Sequence, residues 1–278
     1  MSGSVQDGLR RLTMDLAQGG VDDPAREARL ILAHVLDVAP GRMTILAPEA
    51  LQAGDLAAAA GLAQRRAAGE PMAHLLGYRE FYGRRFAVDA RVLDPRPETE
   101  TLVERALGVA FSRVLDLGTG SGCILLSLLA ERPDATGVGV DLSQDALEVA
   151  RRNAARLDLS ARCELIVSDW FAAVRGTFDL IVSNPPYIAA DEMAGLAREL
   201  QYEPRMALTD EGCGLSAYRA IVAEAGACLV EGGRLIVEIG WRQGADVANL
   251  MRAGGFAEVC VRPDLDGRDR VVEAVWPG

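Results

Sequence analysis

The sequence predicts an α/β fold. A largely parallel, doubly wound sheet finishes in an antiparallel hairpin, and a small helical domain precedes it. Three observations predict this. From Arg113 onward, apolar runs of strand length alternate with segments of helical period. A glycine-rich turn, Gly118-Thr119-Gly120-Ser121-Gly122, joins the first of those runs to a helix pattern. The last two runs, 256–261 and 270–275, are separated by too few residues for a crossover helix, so they must pair antiparallel.

The chain has 278 residues, 50% of them apolar and 25% charged, which suits a globular protein with one large or two modest cores. Residues 1–80 read as a helical domain. Segment 5–16 is amphipathic, and Asp23-Pro24 starts a helix that runs into Leu30, Ile31, His34 and Val35. Alanine-rich 51–68 makes a further helix. His34 falls on the apolar side of its helix and is expected in the core. Residues 81–97 read as a hairpin linker, from the alternation in Arg85-Phe86-Ala87-Val88-Asp89. Within it, Asp94-Pro95-Arg96-Pro97-Glu98-Thr99-Glu100 supplies prolines and cap residues for the next helix and is placed to close over a site.

Residues 98–278 form the α/β domain. Strands are expected from 113, over 137–140, 163–167, 178–182 and 234–239, with helices up to 131 and over 144–157, 215–229 and 245–251. In such a sheet the ligand lies at the carboxyl ends of the strands. Asp116, Gly118, Asp141, Asp169 and Asn184 all fall at such ends.

Two motifs carry chemistry. In Val114-Leu115-Asp116-Leu117-Gly118-Thr119-Gly120-Ser121-Gly122, glycines permit positive φ and close approach, and the following helix offers free N–H groups. The spacing Gly-x-Gly-x-Gly is not that of pyrophosphate binders. Asp116 would repel a diphosphate and suits a cationic, amino-acid-bearing cofactor, S-adenosylmethionine. Asp141, at the end of the next strand, stands where such folds place the carboxylate that holds ribose hydroxyls. The second motif is Ser183-Asn184-Pro185-Pro186-Tyr187. Its prolines stiffen the corner and remove two donors. The Asn184 side-chain oxygen and the Pro185 carbonyl remain as acceptors, with Tyr187 as a flat wall, a setting for a planar –NH2 group.

Other classes are disfavoured. A net charge of −11 argues against nucleic acid as principal partner and favours a basic protein. Five scattered cysteines and two histidines argue against a zinc site and suggest mostly buried thiols in a reducing compartment. With no signal peptide or membrane-spanning stretch, a cytoplasmic protein is expected.

A parallel sheet ending in a hairpin is the architecture of the class I, seven-strand, Rossmann-like methyltransferases. Over nearly its whole length the sequence resembles the PrmC/HemK family of protein-(glutamine-N5) methyltransferases. The resemblance rests on Arg65-Arg66-Ala67-Ala68-Gly69-Glu70-Pro71, the joint from Gly77 to Phe81, the run Pro95 to Glu100, the glycine motif, Ser168-Asp169-Trp170-Phe171 and Asn184 to Tyr187. Minor departures are His74, where an aromatic is usual, and Cys213, which interrupts a glycine-rich turn.

The resemblance implies methyl transfer from S-adenosylmethionine, without a metal, to the glutamine side-chain nitrogen in the Gly-Gly-Gln loop of peptide chain release factors, by a monomer. It implies that Asn184, Pro185, Pro186 and Tyr187 hold the amide and that Glu203 is a substrate contact or a surface charge. Asp116, Gly118, Thr119, Gly120, Gly122, Asp141 and Asn184 would surround the cofactor, with Asp169 and Trp170 beside its adenine. The helical domain would recognise the substrate. Alternatives are a ribosomal-protein glutamine, a DNA adenine methyltransferase, a non-catalytic cofactor-binding module and, least favoured, an NAD oxidoreductase.

Overall fold

A computed structural model describes residues 3–278. The chain forms two compact units. One comprises the residues up to Gly77 together with Ala197–Tyr202, and the other comprises Tyr78–Leu196 and Glu203–Gly278.

The first unit is helical: α1 (Val5–Gln18), α2 (Pro24–Val35), α3 (Met43–Leu46), α4 (Ala53–Ala67) and α5 (Met72–Leu76). Local chemistry sets its helix starts. Ser4 and Asp7 form a capping box on α1, and Asp23 caps α2 with Pro24 in the first turn. Leu12, Leu16, Ile31, Leu32, Met43 and Ala59 share one core. His34 is exposed, contrary to expectation. The buried stripe of α2 runs through Ala28, Ile31 and Leu32, and His34 lies off it. The Arg66 guanidinium is 9% exposed and bonds both Glu27 oxygens, at 2.6 and 3.0 Å, and Glu199 at 2.5 Å. That pairing ties segment 197–202 to the helices.

The second unit opens with a hairpin, β1 (Tyr78–Phe81) and β2 (Arg84–Ala87), and continues as α6 (Glu100–Leu107), β3 (Arg113–Leu117), α7 (Cys123–Glu131), β4 (Thr136–Asp141), α8 (Gln144–Arg156), β5 (Cys163–Val167), β6 (Phe178–Ser183), α9 (Arg205–Leu208), α10 (Ser216–Cys228), β7 (Leu229–Glu238), α11 (Gly244–Ala253), β8 (Ala257–Pro263) and β9 (Asp269–Val275). The hairpin belongs to this unit, where Phe81 and Phe86 pack edge to face beside α6 and α7. The seven-stranded order is β5-β4-β3-β6-β7-β9-β8. All neighbours are parallel except β9, which runs antiparallel to both β7 and β8.

Both faces of the sheet are covered, which is why its strands read as continuous apolar runs. Leu102, Val103, Leu125, Leu128 and Leu129 cover one side; Tyr218, Ile221, Val247 and Met251 cover the other. From β3 the chain steps outward to β4 and β5, then returns to lay β6 on the other side of β3. That reversal leaves a crevice at the carboxyl ends of β3 and β6. Ser183 Oγ donates to the Leu117 carbonyl at 2.7 Å and locks the two ends together. Among the described residues no helix is long and apolar enough to cross a membrane.

Candidate active site

A cavity of about 660 Å³ opens at these strand ends, a size ordinary for a small-molecule site. Its wall includes Gly118, Thr119, Gly120, Asp141, Asp169, Trp170, Asn184 and Pro186. Four segments widely separated in sequence therefore converge as expected.

The glycine turn is shaped by its own hydrogen bonds. Gly118, Gly120 and Gly122 all have positive φ. A Cβ added at Gly118 or Gly120 would meet nothing within 4 Å, whereas at Gly122 it would lie 3.0 Å from Leu126 and 3.3 Å from Ala150. The first two glycines border the cavity, and the third lets α7 begin close to α8. The Gly120 N–H donates to Asp141 Oδ2 at 2.9 Å, and the Thr119 N–H donates to the Val140 carbonyl. The turn thus commits these two N–H groups internally, so neither is free to receive a phosphate. Asp141 Oδ1 also accepts from the Ser143 N–H. Burial raises the Asp141 pKa, and these backbone bonds oppose the rise.

Asp116 does not reach the cavity. It is fully buried, and its Oδ2 accepts from Thr119 Oγ1 at 2.7 Å. Burial pushes its carboxyl up to about 7, against that hydrogen bond. Asp116 therefore braces the turn from beneath. Gly122 likewise supports the wall without lining it. Asn153 is a brace that no motif singles out. Wholly buried on α8, its Nδ2 donates to the carbonyls of Ser121 and Ala87, joining the turn to the hairpin.

At the opposite wall stands the corner after β6. Asn184 and Pro186 face the cavity; Pro185 and Tyr187 are absent from its lining. Asn184 Nδ2 donates to Thr99 Oγ1 at 3.3 Å. The Tyr187 ring packs against the core, and its backbone carbonyl accepts from Gln243 Nε2 at 3.0 Å. Burial raises the Tyr187 hydroxyl pKa.

Segment 94–100 does not cap a helix as expected. Pro97–Thr99 is a single tight turn, and α6 has no side-chain cap. Its residues instead support the site. Arg96 Nη2 pairs with Glu203 Oε1 at 2.6 Å, Asp94 approaches Arg79 and Arg96, and Thr99 lines the cavity. The Glu203 side chain has no exposed surface, so it is not a surface charge; it reaches the site through Arg96. Asp210, also in the wall, accepts from the N–H groups of Gly212, Gly214 and Ser216. Burial would raise its pKa, yet these bonds hold it down to about 2. Of the five free cysteines only Cys123 is buried, not most of them. Among the described residues no group of three or more potential side-chain ligands is placed to hold a metal ion.

The seven-stranded sheet with its antiparallel β9, and a glycine-lined cavity at the switch point, define a class I methyltransferase. A family profile described as Methyltransferase small domain matches residues 96–213, and one described as PrmC N-terminal domain matches residues 7–77. The release factor glutamine methyltransferase of Cereibacter sphaeroides is 53% identical over 272 residues, covering 98% of each chain. That of Rhodospirillum rubrum is 44% identical, covering 96% of this chain and 83% of its own. The chain belongs to the release factor glutamine methyltransferase family. Among solved structures, a methyltransferase from Pyrococcus furiosus matches with a TM-score of 0.55 at 18% identity, over 71% of this chain and 91% of that one. The hMettl16 catalytic domain matches with a TM-score of 0.60 at 18% identity, over 75% and 82%. These two likenesses concern the fold alone.

Proposed function

We propose that this enzyme methylates the side-chain nitrogen of the glutamine in the Gly-Gly-Gln loop of peptide chain release factors, using S-adenosylmethionine. The observation that carries the reading is the Asn184 amide set at the edge of a glycine-lined cavity whose turn N–H groups are committed within the protein. Near-full-length identity to relatives named for that substrate supports it.

The residues present fit the cofactor. Gly118 and Gly120 leave room for its methionine part, Asp141 retains acceptor capacity for ribose hydroxyls, and Asp169 and Trp170 offer a polar edge and a flat face for adenine. When bound, S-adenosylmethionine supplies an electrophilic methyl group on a sulfonium centre. The chain must solve the other half of the problem, because an amide nitrogen is a weak nucleophile whose lone pair is delocalised into its carbonyl. Asn184 Oδ1 accepts one amide N–H at the cavity wall, and the other is assigned to the carbonyl of Pro185, a residue outside the cavity lining. Held by both hydrogens, the nitrogen pyramidalises and turns its lone pair toward the cavity. The two acceptors also stabilise the positive charge that develops on it, so orientation and electrostatics do most of the catalysis. No strong base is required before attack, since the N–H protons become acidic as the bond forms.

Tyr187 shapes the back of the corner, and Glu203 sets Arg96. The helical unit serves substrate recognition. A cytoplasmic monomer, acting on protein without contacting nucleic acid, goes with this reading; a net charge of −11 suits a basic protein partner. The test is transfer of labelled methyl to a purified release factor beside a variant whose Gly-Gly-Gln glutamine is replaced. Label on the first alone, located at the glutamine side chain, is expected. Equal label on both, or none on either with cofactor bound, would overturn the assignment.

A further inference from the structure

We infer that Gln243 is a positioning residue for methyl transfer: its side-chain amide clamps the Asn184 corner to the loop before α10 and so fixes where the acceptors for the substrate amide stand. The inference rests on the reading of Asn184 given above.

The corner is short of backbone donors, since Pro185 and Pro186 have none. It must be held from its two ends. Upstream, Ser183 Oγ donates to the Leu117 carbonyl at 2.7 Å, and Ser183 pairs with both Leu117 and Val237. Downstream, the Tyr187 carbonyl accepts from Gln243 Nε2 at 3.0 Å, and the Ile188 N–H donates to the Leu208 carbonyl at 3.0 Å. Asn184 and Pro185 lie between these anchors, and proline rings fix φ at 185 and 186. A shift at Tyr187 is therefore passed back along a stiff backbone to the Pro185 carbonyl and Asn184.

Gln243 stands at the start of α11, yet its side chain makes no cap there. Its N–H donates to the Gly240 carbonyl at 2.8 Å and its carbonyl accepts from the Val247 N–H, so the side chain springs from a fixed turn. The amide is used elsewhere. Nε2 donates to the Tyr187 carbonyl and, at 3.1 Å, to the Gly214 carbonyl, while Oε1 accepts from the Gly240 N–H at 3.0 Å. The Tyr218 hydroxyl lies 3.5 Å from Oε1, but its one proton is directed to the Glu238 carbonyl at 2.9 Å.

Proton counting fixes this amide one way round. Both Nε2 hydrogens go to carbonyls, and Oε1 faces an N–H. Turned over, the group would set its oxygen against two carbonyls and its –NH2 against a donor. Two carbonyl oxygens that converge on one point repel, so the donor between them lets the corner and the loop come together. They come very close: Gly214 has a φ of +73°, and a Cβ there would lie 2.3 Å from the Tyr187 oxygen. A Cβ at Gly240 would lie 3.0 Å from Gln243 Oε1, so glycine leaves room on that side too. The loop held in this way carries Asp210 and Ser216, which line the cavity; Gln243 is absent from the lining. It acts through other residues.

The test is kcat for methyl transfer to a release factor at saturating cofactor, beside the cofactor Kd, in Gln243→Met, Gln243→Glu, Asn184→Ala and the Gln243→Met/Asn184→Ala double variant. Gln243→Met keeps the length and loses every polar contact. Gln243→Glu keeps the acceptor for Gly240 and loses the donors alone. Each should lower kcat about 10- to 100-fold, the loss expected of a displacement on the order of 1 Å, with the cofactor Kd within about threefold of wild type. In the Asn184→Ala background, Gln243→Met should lower the residual kcat by less than about threefold, because the acceptor it positions is already gone. Purely structural damage would multiply the two losses and weaken cofactor binding as well. A wild-type rate in Gln243→Glu, or the full Gln243→Met loss repeated in the Asn184→Ala background, would overturn the inference. Should Asn184→Ala itself retain turnover, the reading of the motif fails and the inference with it; an inactive Asn184→Ala beside normal Gln243 variants removes only the clamp.

Discussion

The glycine turn after β3 and the Asn184 corner after β6 lie at adjacent strand ends, yet they are held in different ways. Much of the turn is secured by near neighbours: Thr119 bonds Asp116 three residues away, and Gly120 bonds Asp141 twenty-one away. The corner is secured from afar, by Thr99 at a separation of 85 residues and Gln243 at 56. A cofactor pocket can be encoded as one motif because its shape is a backbone conformation. An acceptor aimed at an amide needs a side chain fixed in one orientation, and that takes partners delivered by the whole sheet.

If the two regions divide the work, substitutions should separate their effects. The largest is expected for Asn184→Ala, which removes an acceptor from the substrate amide. Methyl transfer to a release factor at saturating cofactor should fall about a thousandfold, a loss comparable to that of a transition-state hydrogen-bond partner. Asp141→Ala should act on the other side. Its cofactor Kd should rise about 10- to 100-fold by calorimetric titration, with rate at saturation largely kept. An unchanged Kd would show that another residue holds the ribose.

A subtler separation comes from Asp116. Burial raises its pKa from 3.8 to about 7, so folding favours the protonated form. Its contribution to stability is full below about pH 4 and is lost as pH rises through about 7. Asp116→Asn removes that titration and should flatten the wild-type decline between these values by roughly 1–4 kcal/mol, read from denaturant unfolding across pH. A decline of the same steepness in the variant would show that other groups produce it. The smallest effect is expected at Gly122, where alanine would have to adopt positive φ and press on Leu126 and Ala150. A cost of about 1–2 kcal/mol, seen as a Tm lower by several degrees, is expected.

The same contrast explains what the sequence revealed. Strands β3 to β9, the antiparallel turn at the end and the strand-end placement of Gly118, Asp141, Asp169 and Asn184 follow from periodicity and loop length, which are local. Gln243 and Asn153 gave no local signal, and Thr99 only its place in a cap-like run, because each acts on a residue brought near only by folding. Thr99 looked like part of a helix start. Asp116 was visible as a motif residue but was assigned to the cofactor. Its total burial beneath Thr119 is a packing outcome that spacing cannot show. His34 failed for a related reason: an apolar neighbourhood in sequence does not fix which side of a short helix meets the core.

Cofactor affinity of the Asn184→Ala protein is the most direct check on this division, since lost turnover alone would follow from any damage to the site. Calorimetric titration with S-adenosylmethionine should return a Kd within about threefold of wild type in the same preparation that transfers no methyl. A Kd weakened in step with turnover would show Asn184 holding the cofactor rather than the substrate amide and contradict the separation of the two regions.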